Sequence, residues 1–151
     1  MFTDFMLASL HHLGVFALVG ILFAELVLLR PGLDAATIIR IGRLDLGYGL
    51  AAGLIVIAGF ARVFLGAKGP DFYLANPIFW TKIGLFALIG LLSIQPTMRF
   101  LAWRRALKLD PHMLPAPADL RNAKRFVHIE AALLLILPIL AAAMARGYGL
   151  H

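Results

Sequence analysis

The chain has 151 residues, of which 62% are hydrophobic and 15% are charged, and its formal net charge is +6. Water-soluble domains are about half apolar and roughly a quarter charged, so this composition argues against a soluble domain and for a protein whose solvent is lipid. The basic residues lie near the ends of apolar runs and do not form one basic face, which favours lipid headgroups over nucleic acid as their partner.

Four apolar runs are long enough to cross a membrane. They predict helices over residues 5–29, 46–65, 77–98 and 126–145, close to the ~20 residues that span a ~30 Å hydrocarbon core. The first run follows no basic segment and has no small-residue cleavage site, so we expect a retained membrane helix and not a signal peptide. Because no run alternates with a period of two residues, the predicted fold class is all-α, an integral membrane four-helix bundle in a single domain.

Two connections between these runs carry patterns of their own. In residues 33–44, Ile38, Ile39 and Ile41 stand among arginines, which predicts a short amphipathic helix on the membrane surface. Residues 106–124 contain three prolines, and we expect them to form a loop. The structured part of the chain is therefore predicted to be almost entirely membrane-embedded.

Prolines and glycines within the runs predict how the helices pack. Pro96 and Pro138 are expected to kink the third and fourth helices. Gly49 and Gly53 form a G-x-x-x-G pair on the second helix, and small residues of this kind let helix backbones approach in lipid. The sequence leaves open whether the chain forms a homo-oligomer.

The distribution of basic residues predicts the orientation of the bundle. Ten of the fourteen lie on the side that holds the first and third connections, and four lie on the other side. Because basic loops tend to stay in the cytoplasm, we expect both connections to be cytoplasmic and both the N-terminus and the C-terminus to be extracytoplasmic. Aromatic residues would mark the extracytoplasmic interface, namely Phe72, Tyr73, Phe79 and Trp80.

One layer of polar residues is predicted just beneath the extracytoplasmic side. It combines His11 and His12 of the first helix with Arg62 of the second and Lys82 of the third. Ionisable groups deep in a membrane helix cost about 2.5–3.5 kcal/mol each, so such a layer needs a reason. Bound haem would be one such reason, since its iron binds imidazole and its propionates bind Arg or Lys. A quinone or an anionic lipid would also accept hydrogen bonds from these side chains. In the alternative interpretation, the cations reach the headgroups and one histidine binds a nearby carbonyl.

Only one of the two adjacent histidines can face a given iron, because their side chains point ~100° apart on a helix. We expect His11 to be the ligand and His12 the substitute. His11 and His128 are not expected to share one iron, since their estimated heights differ by ~15 Å whereas two axial ligands lie within ~4–5 Å. His112 and His151 are expected to be solvated.

A second polar layer is predicted near the cytoplasmic side, and it contains Glu25, Gln95, Arg99, Arg125, His128 and Glu130. Glu25 follows His11 by fourteen residues, so the two share nearly the same face of the first helix. A salt bridge from Glu25 to Arg99 or Arg125 is one explanation of this inner polar cluster. A proton path or a second ligand site is the other.

Absent residues and motifs exclude several kinds of site. The chain contains no cysteine, which excludes disulfides, thiolate metal sites, iron–sulfur clusters and covalently attached haem. It also lacks the phosphate-binding, dinucleotide-binding, zinc-protease and serine-hydrolase motifs. Nucleotide-dependent and hydrolytic chemistry are therefore not expected.

Three short segments carry a family resemblance. Leu-His-His-Leu-Gly-Val at residues 10–15, Trp-Thr-Lys at 80–82 and Arg-Phe-Val-His-Ile-Glu at 125–130 resemble the HemJ family of membrane protoporphyrinogen oxidases and the related CopD-like membrane domains. The resemblance covers most of the chain and places it beside bacterial four-helix membrane families of the inner membrane. It implies bound haem b, with the required histidine and lysine at His11 and Lys82.

The chain departs from the HemJ pattern at two positions. HemJ-type proteins open their last helix with arginine, asparagine, glutamate and proline, where this chain has His128 and Glu130 and no proline. Their first helix carries a deep basic residue, where this chain has Glu25. These differences argue against protoporphyrinogen as the substrate more than they argue against bound haem.

Two functions follow from the sequence. The first is a haem b-binding membrane oxidoreductase that exchanges electrons with a quinone or a tetrapyrrole. In it His11 or His12 binds the metal, Lys82 and Arg62 act as catalytic or propionate-binding cations, and Trp80 adjoins the cofactor. The alternative is a non-enzymatic membrane module without a cofactor: an assembly subunit, a lipid binder or a small transporter component.

Overall fold

The computed structural model describes residues 2–149, and every regular element in this range is an α-helix. The helices are α1 (Phe2–Leu28), α2 (Ala35–Leu65), α3 (Gly69–Leu74), α4 (Pro77–Leu109), α5 (Pro117–Leu134) and α6 (Ile136–Ala145). Four spans, formed by α1, α2, α4 and the pair α5–α6, are long and apolar enough to cross a membrane. The predicted all-α bundle with four membrane spans is therefore confirmed, while the orientation of its termini stays a prediction.

The outer surface of the bundle is apolar. Phe16, Val27 and Ile57 are 72%, 71% and 67% exposed, and many other large apolar side chains also face outward. Soluble monomers rarely expose contiguous apolar surface on this scale, whereas lipid tails solvate it. We call the end of the bundle near both chain termini the terminal end, and the opposite end, with residues 29–34 and 110–116, the loop end.

The predicted surface helix over residues 33–44 is instead the first part of α2, which runs without a break from Ala35 to Leu65. Asp34 caps it by accepting a hydrogen bond from the Thr37 N–H at 2.8 Å. The hydrogen bonds from Thr37 also hold the pKa of Asp34 below its ordinary value. Because Ile38 and Ile41 are fully buried against neighbouring helices, the segment packs as part of the bundle and does not lie on its surface.

The predicted loop over residues 106–124 is shorter than expected. α4 continues to Leu109, and α5 begins at Pro117, so only residues 110–116 connect them. Asp110 precedes a proline and is extended, with φ −136° and ψ 105°, as steric contact with the proline ring favours. Pro117 opens α5 at a position where its missing N–H costs nothing. Pro70 likewise lies in the first turn of the short helix α3.

The two prolines within the spans behave differently. Pro96 is buried inside α4, which continues past it. Pro138 interrupts the fourth span, since α5 ends at Leu134 and α6 begins at Ile136. Pro138 has no N–H for the carbonyl of Leu134, four residues earlier, and its ring crowds that carbonyl. The interruption therefore lies where the proline removes a helical hydrogen bond.

Helices approach each other most closely at glycines other than the predicted pair. A Cβ on Gly14 of α1 would lie 2.5 Å from Cγ1 of Ile55, and one on Gly42 of α2 would collide with the Arg104 side chain of α4. Gly49 and Gly53 face outward, where an added Cβ would meet no atom of the described residues within 4 Å. The G-x-x-x-G pair therefore makes no helix contact within residues 2–149.

Asn76 links the start of α4 to the C-terminal turn. Its Oδ1 accepts a hydrogen bond from the Ile78 N–H at 2.9 Å, and its Nδ2 donates one to the Tyr148 carbonyl at 3.1 Å. The side chain is 0% exposed. It therefore serves both as the N-cap of α4 and as the tie that holds residues beyond α6.

We expect Asn76→Ala to lower the free energy of unfolding by about 1–2 kcal/mol, since it removes a cap and a buried hydrogen bond. Asn76→Ser keeps a capping oxygen and loses only the donor, so its loss should be smaller. Unfolding in mixed micelles measures both values. Hydrogen exchange should rise at residues 146–149 in both variants, and an alanine variant as stable as the wild type would contradict this assignment.

Candidate functional site

A cavity of about 460 Å³ lies between α1, α2, α4 and α6 near the terminal end. Small-molecule and cofactor sites commonly occupy about 300–1,000 Å³, so the volume suits a ligand of that class. The walls are mainly apolar and include Phe72 and Tyr73 of α3. The polar residues predicted to share a height all line it: His11, His12, Arg62 and Lys82. We call this space the basic cavity.

His11 has a ring nitrogen that nothing in the described chain satisfies. Its Nδ1 is buried and has no hydrogen-bond partner among residues 2–149. The ring lies against Gly59 of α2, where an added Cβ would be 3.5 Å from the His11 Cε1 atom. Because Nδ1 is buried against α2, 3.6 Å from where a Gly59 Cβ would lie, Nε2 is the ring nitrogen left to bind a ligand in the cavity.

His12 occupies a different environment from its neighbour. It is exposed, and its Nδ1 lies 2.6 Å from the Ala8 carbonyl of the preceding helical turn. The two histidine rings are nearly perpendicular and 6.2 Å apart. His11 is therefore the better placed ligand, as the direction of side chains on α1 predicts.

Arg62 and Lys82 bring positive charge to the basic cavity, and neither forms an ion pair with a carboxylate of residues 2–149. Both side chains are half-buried, and Nε of Arg62 is buried without a hydrogen-bond partner among the described residues. The only ion pair within residues 2–149 joins Arg99 and Asp119 at the loop end. Unpaired cations in a low-dielectric site favour an anionic ligand. Their position on the cavity wall also differs from the alternative in which both reach for the headgroups.

Two other charged groups near the terminal end have contacts of their own. Asp4 of α1 accepts a hydrogen bond from the Ala67 N–H at 3.3 Å, and the Lys68 ammonium lies 4.1 Å from the centre of the Phe72 ring. Trp80 is 55% exposed, donates its indole N–H to the Leu74 carbonyl at 3.0 Å and is not part of the cavity wall. Trp80 is therefore not part of the candidate site.

The predicted inner polar cluster divides into separate groups. Arg99 of α4 pairs with Asp119 of α5, because α5 begins early enough to bring Asp119 beside it. With its amide turned to suit its neighbours, Gln95 also accepts a hydrogen bond from Arg99. The expected salt bridge from Glu25 to Arg99 or Arg125 is thus wrong for the chain over residues 2–149.

Arg125 and His128 lie on the outside of α5. Both are exposed, and Nδ1 of His128 lies 2.8 Å from the Lys124 carbonyl. His112 is exposed in the connection after α4, and His151 lies outside the described residues. Neither His112 nor His128 lines the basic cavity.

Glu25 and Glu130 are buried with two residues that the sequence interpretation missed, Asp45 and Tyr48 of α2. The sequence prediction ends the surface segment at residue 44 and starts the second span at Leu46, so it leaves Asp45 between the two. Ile41, Asp45 and Tyr48 are spaced so that all three lie on one face of a helix. This spacing is the sequence signal that could have identified Asp45 and Tyr48 as interior residues. We call Glu25, Asp45 and Glu130 the carboxyl cluster.

Comparison with known families identifies the family of the chain. Residues 3–149 match the family described as Predicted membrane protein (DUF2214). The chain belongs to this family. Because the match runs from the start of α1 to beyond α6, the whole described bundle is the DUF2214 domain. No curated protein and no solved structure matches the chain.

Membership of the DUF2214 family agrees with the apolar surface and the four spans, so the protein is a multi-pass membrane protein in contact with a lipid bilayer. The match does not extend to HemJ-type or CopD-like proteins. Any cofactor of this DUF2214 protein is therefore argued from the basic cavity.

Proposed function

We propose that this DUF2214 protein binds haem b in the basic cavity and works as a membrane oxidoreductase. The observation that supports it most is the position of His11, whose ring lines the basic cavity while its Nδ1 is buried against Gly59 of α2. The other ring nitrogen, Nε2, is the one left for a haem iron, and a single histidine ligand suffices in globins and peroxidases.

The rest of the cavity also fits a haem. Arg62 and Lys82 are the groups that would hold its two propionates by charge-assisted hydrogen bonds. The apolar walls suit a macrocycle and keep water away from the imidazole. Gly59 leaves the space that the His11 ring occupies and sets its position against α2.

Haem b, when bound, supplies one-electron transfer. The chain would then exclude water from the site and fix its height in the membrane. If the basic loops are cytoplasmic, the cavity lies near the extracytoplasmic face, where a membrane quinone or a tetrapyrrole can approach from the lipid. The proposal agrees with what the HemJ resemblance implies for His11 and Lys82.

Haem titration of the purified protein in nanodiscs of zwitterionic lipid tests the proposal. We expect a Soret band that shifts and saturates at one haem per chain. His128→Ala should leave the titration unchanged, because His128 is exposed on α5 and does not line the cavity.

The same titration in nanodiscs of anionic lipid separates haem from a lipid headgroup as the occupant. A headgroup and the haem propionates would compete for the two cations, whereas only haem uses an imidazole nitrogen, so haem binding should weaken but persist. Absence of saturation in zwitterionic lipid would refute the haem proposal. Suppression by anionic lipid would instead support the lipid-binding alternative.

A further inference from the structure

The carboxyl cluster lies away from the basic cavity, toward the loop end of the bundle. Glu25 of α1 and Glu130 of α5 are 2% and 1% exposed. Asp45 of α2 is half-buried, and its Oδ1 accepts a hydrogen bond from the Thr97 hydroxyl of α4 at 2.7 Å. Tyr48 of α2 lies beside Glu130 and is 6% exposed. Four helices therefore contribute to one interior polar site.

The register of α1 against α2 explains why Glu25 and Asp45 meet. Gly14 lies opposite Ile55, and His11 lies opposite Gly59. The two helices are antiparallel, so moving toward the loop end means moving forward on α1 and backward on α2. Glu25 lies eleven residues after Gly14, and Asp45 lies ten residues before Ile55, so the two reach nearly the same level. The close packing that Gly14 allows thus also sets two carboxyl groups at one level.

Two oxygens of the carboxyl cluster have no partner. Oε1 of Glu25 and Oε1 of Glu130 are both buried and lack a hydrogen bond to any described residue. Each side chain is more than nine-tenths buried. Buried polar atoms of this kind are rare without an occupant such as water, an ion or a proton.

No cation compensates the carboxyl cluster in the described chain. The groups that face it are Glu25 from α1, Asp45 and Tyr48 from α2, Thr97 from α4 and Glu130 from α5. Arg99 is paired with Asp119, and Arg104 of α4 points to the Gly42 carbonyl at 3.5 Å. Three carboxylates in an apolar interior without a counter-charge would repel each other and lose their hydration, which is strongly unfavourable.

We propose that Glu25, Asp45 and Glu130 form a proton-binding site inside the membrane. Protons neutralise the carboxyls and turn an acceptor oxygen into a donor, which lets the unpartnered oxygens hydrogen-bond within the cluster. No group of three or more His, Asp or Glu in residues 2–149 is arranged to hold a metal ion, which favours a proton over a metal cation. The site is independent of haem binding.

A second cavity adjoins this site. It lies between α2 and α4, and its wall includes Asp45, Tyr48 and Thr97 at the cluster and Arg104 nearer the loop end. Asp45 borders this space, whereas Glu25 and Glu130 do not. Asp45 is therefore the carboxyl of the cluster that is placed to exchange a proton with its surroundings.

Infrared spectroscopy of the wild-type protein in nanodiscs at neutral pH tests the proposal. We expect a C=O stretching band of protonated carboxyl groups that shifts in heavy water. Glu25→Gln and Glu130→Gln should each lose the intensity of one carboxyl. Asp71→Asn is the matched control, because Asp71 is exposed, and it should keep the band. Absence of the band in the wild type would overturn the proposal.

Carbodiimide labelling of the wild type checks the same claim without any variant. This reagent modifies protonated carboxyls in apolar surroundings, so mass spectrometry should find it on Glu25 or Glu130 and not on Asp71. Sodium chloride should neither remove the infrared band nor protect against labelling. Loss of the band or protection by sodium would contradict a proton site and indicate a cation site.

Discussion

Replacing His11 with alanine is expected to weaken haem binding by at least about 100-fold, equivalent to roughly 2.7 kcal/mol. His11 lines the basic cavity, and its ring is held against Gly59 of α2. Without it the cavity offers an iron only His12, whose Nδ1 is close to the Ala8 carbonyl. Haem titration followed at the Soret band measures the change.

His12→Ala is the matched control for this prediction. It removes a neighbouring imidazole from the same helix while leaving the His11 ring against Gly59. We expect its affinity to stay within about threefold of the wild type, since an exposed side chain away from the key contact has a small effect. Similar losses in both variants, or none in His11→Ala, would show that His11 is not the ligand.

Replacing Lys82 with methionine should weaken haem binding by roughly 10- to 150-fold, because a charge-assisted hydrogen bond contributes about 1.5–3 kcal/mol. Methionine keeps the length and apolar stem of the side chain. In the ligand-free protein the same change should raise the unfolding temperature, since it removes an unpaired and half-buried cation. These opposite signs distinguish a ligand-binding cation from one that only supports the fold.

Lys68→Met is the control for the effect of charge. Lys68 borders the same cavity but is exposed and lies over the Phe72 ring, so its loss should change binding only slightly. Titration and thermal unfolding of both variants in the same nanodiscs give the comparison. Equal effects of the two substitutions would reduce the role of Lys82 to that of general surface charge.

The fold was largely predictable because lipid imposes a simple rule on the sequence. Each span has to satisfy its backbone hydrogen bonds internally and present apolar side chains, so hydropathy identifies the helices. The same rule fails at the helix ends. Arg40 and Arg43 lower the hydropathy of the first turns of α2 without breaking the helix, and residues 99–109 do so for α4.

The candidate sites were predictable in part. Counting residues along antiparallel helices set His11, Arg62 and Lys82 at one height, and the structure places them on one cavity wall. Hydrogen-bond competition was not visible in the sequence. The early start of α5 gives Arg99 a partner in Asp119, which leaves Glu25 with other carboxyls instead of a cation. Trp80 turns away because its indole finds the Leu74 carbonyl.

The two sites lie at opposite ends of the bundle on one face of α1. His11 and Glu25 are fourteen residues apart in sequence, which corresponds to about 21 Å along a helix. The proposed functions of the two ends are separate, so Glu25→Gln should leave haem affinity unchanged. The two proposals together would set an electron-transfer site near one membrane face and a proton site near the other.

Pulsed electron paramagnetic resonance on haem-loaded protein with ¹⁵N-labelled histidine tests the central claim most directly. The measurement detects nitrogen of a protein histidine bonded to the iron. A ¹⁵N coupling should be present in the wild type and in His12→Ala, and it should be lost in His11→Ala. A wild type without this coupling, or a coupling that survives the loss of His11, would contradict the assignment of the basic cavity as a haem site.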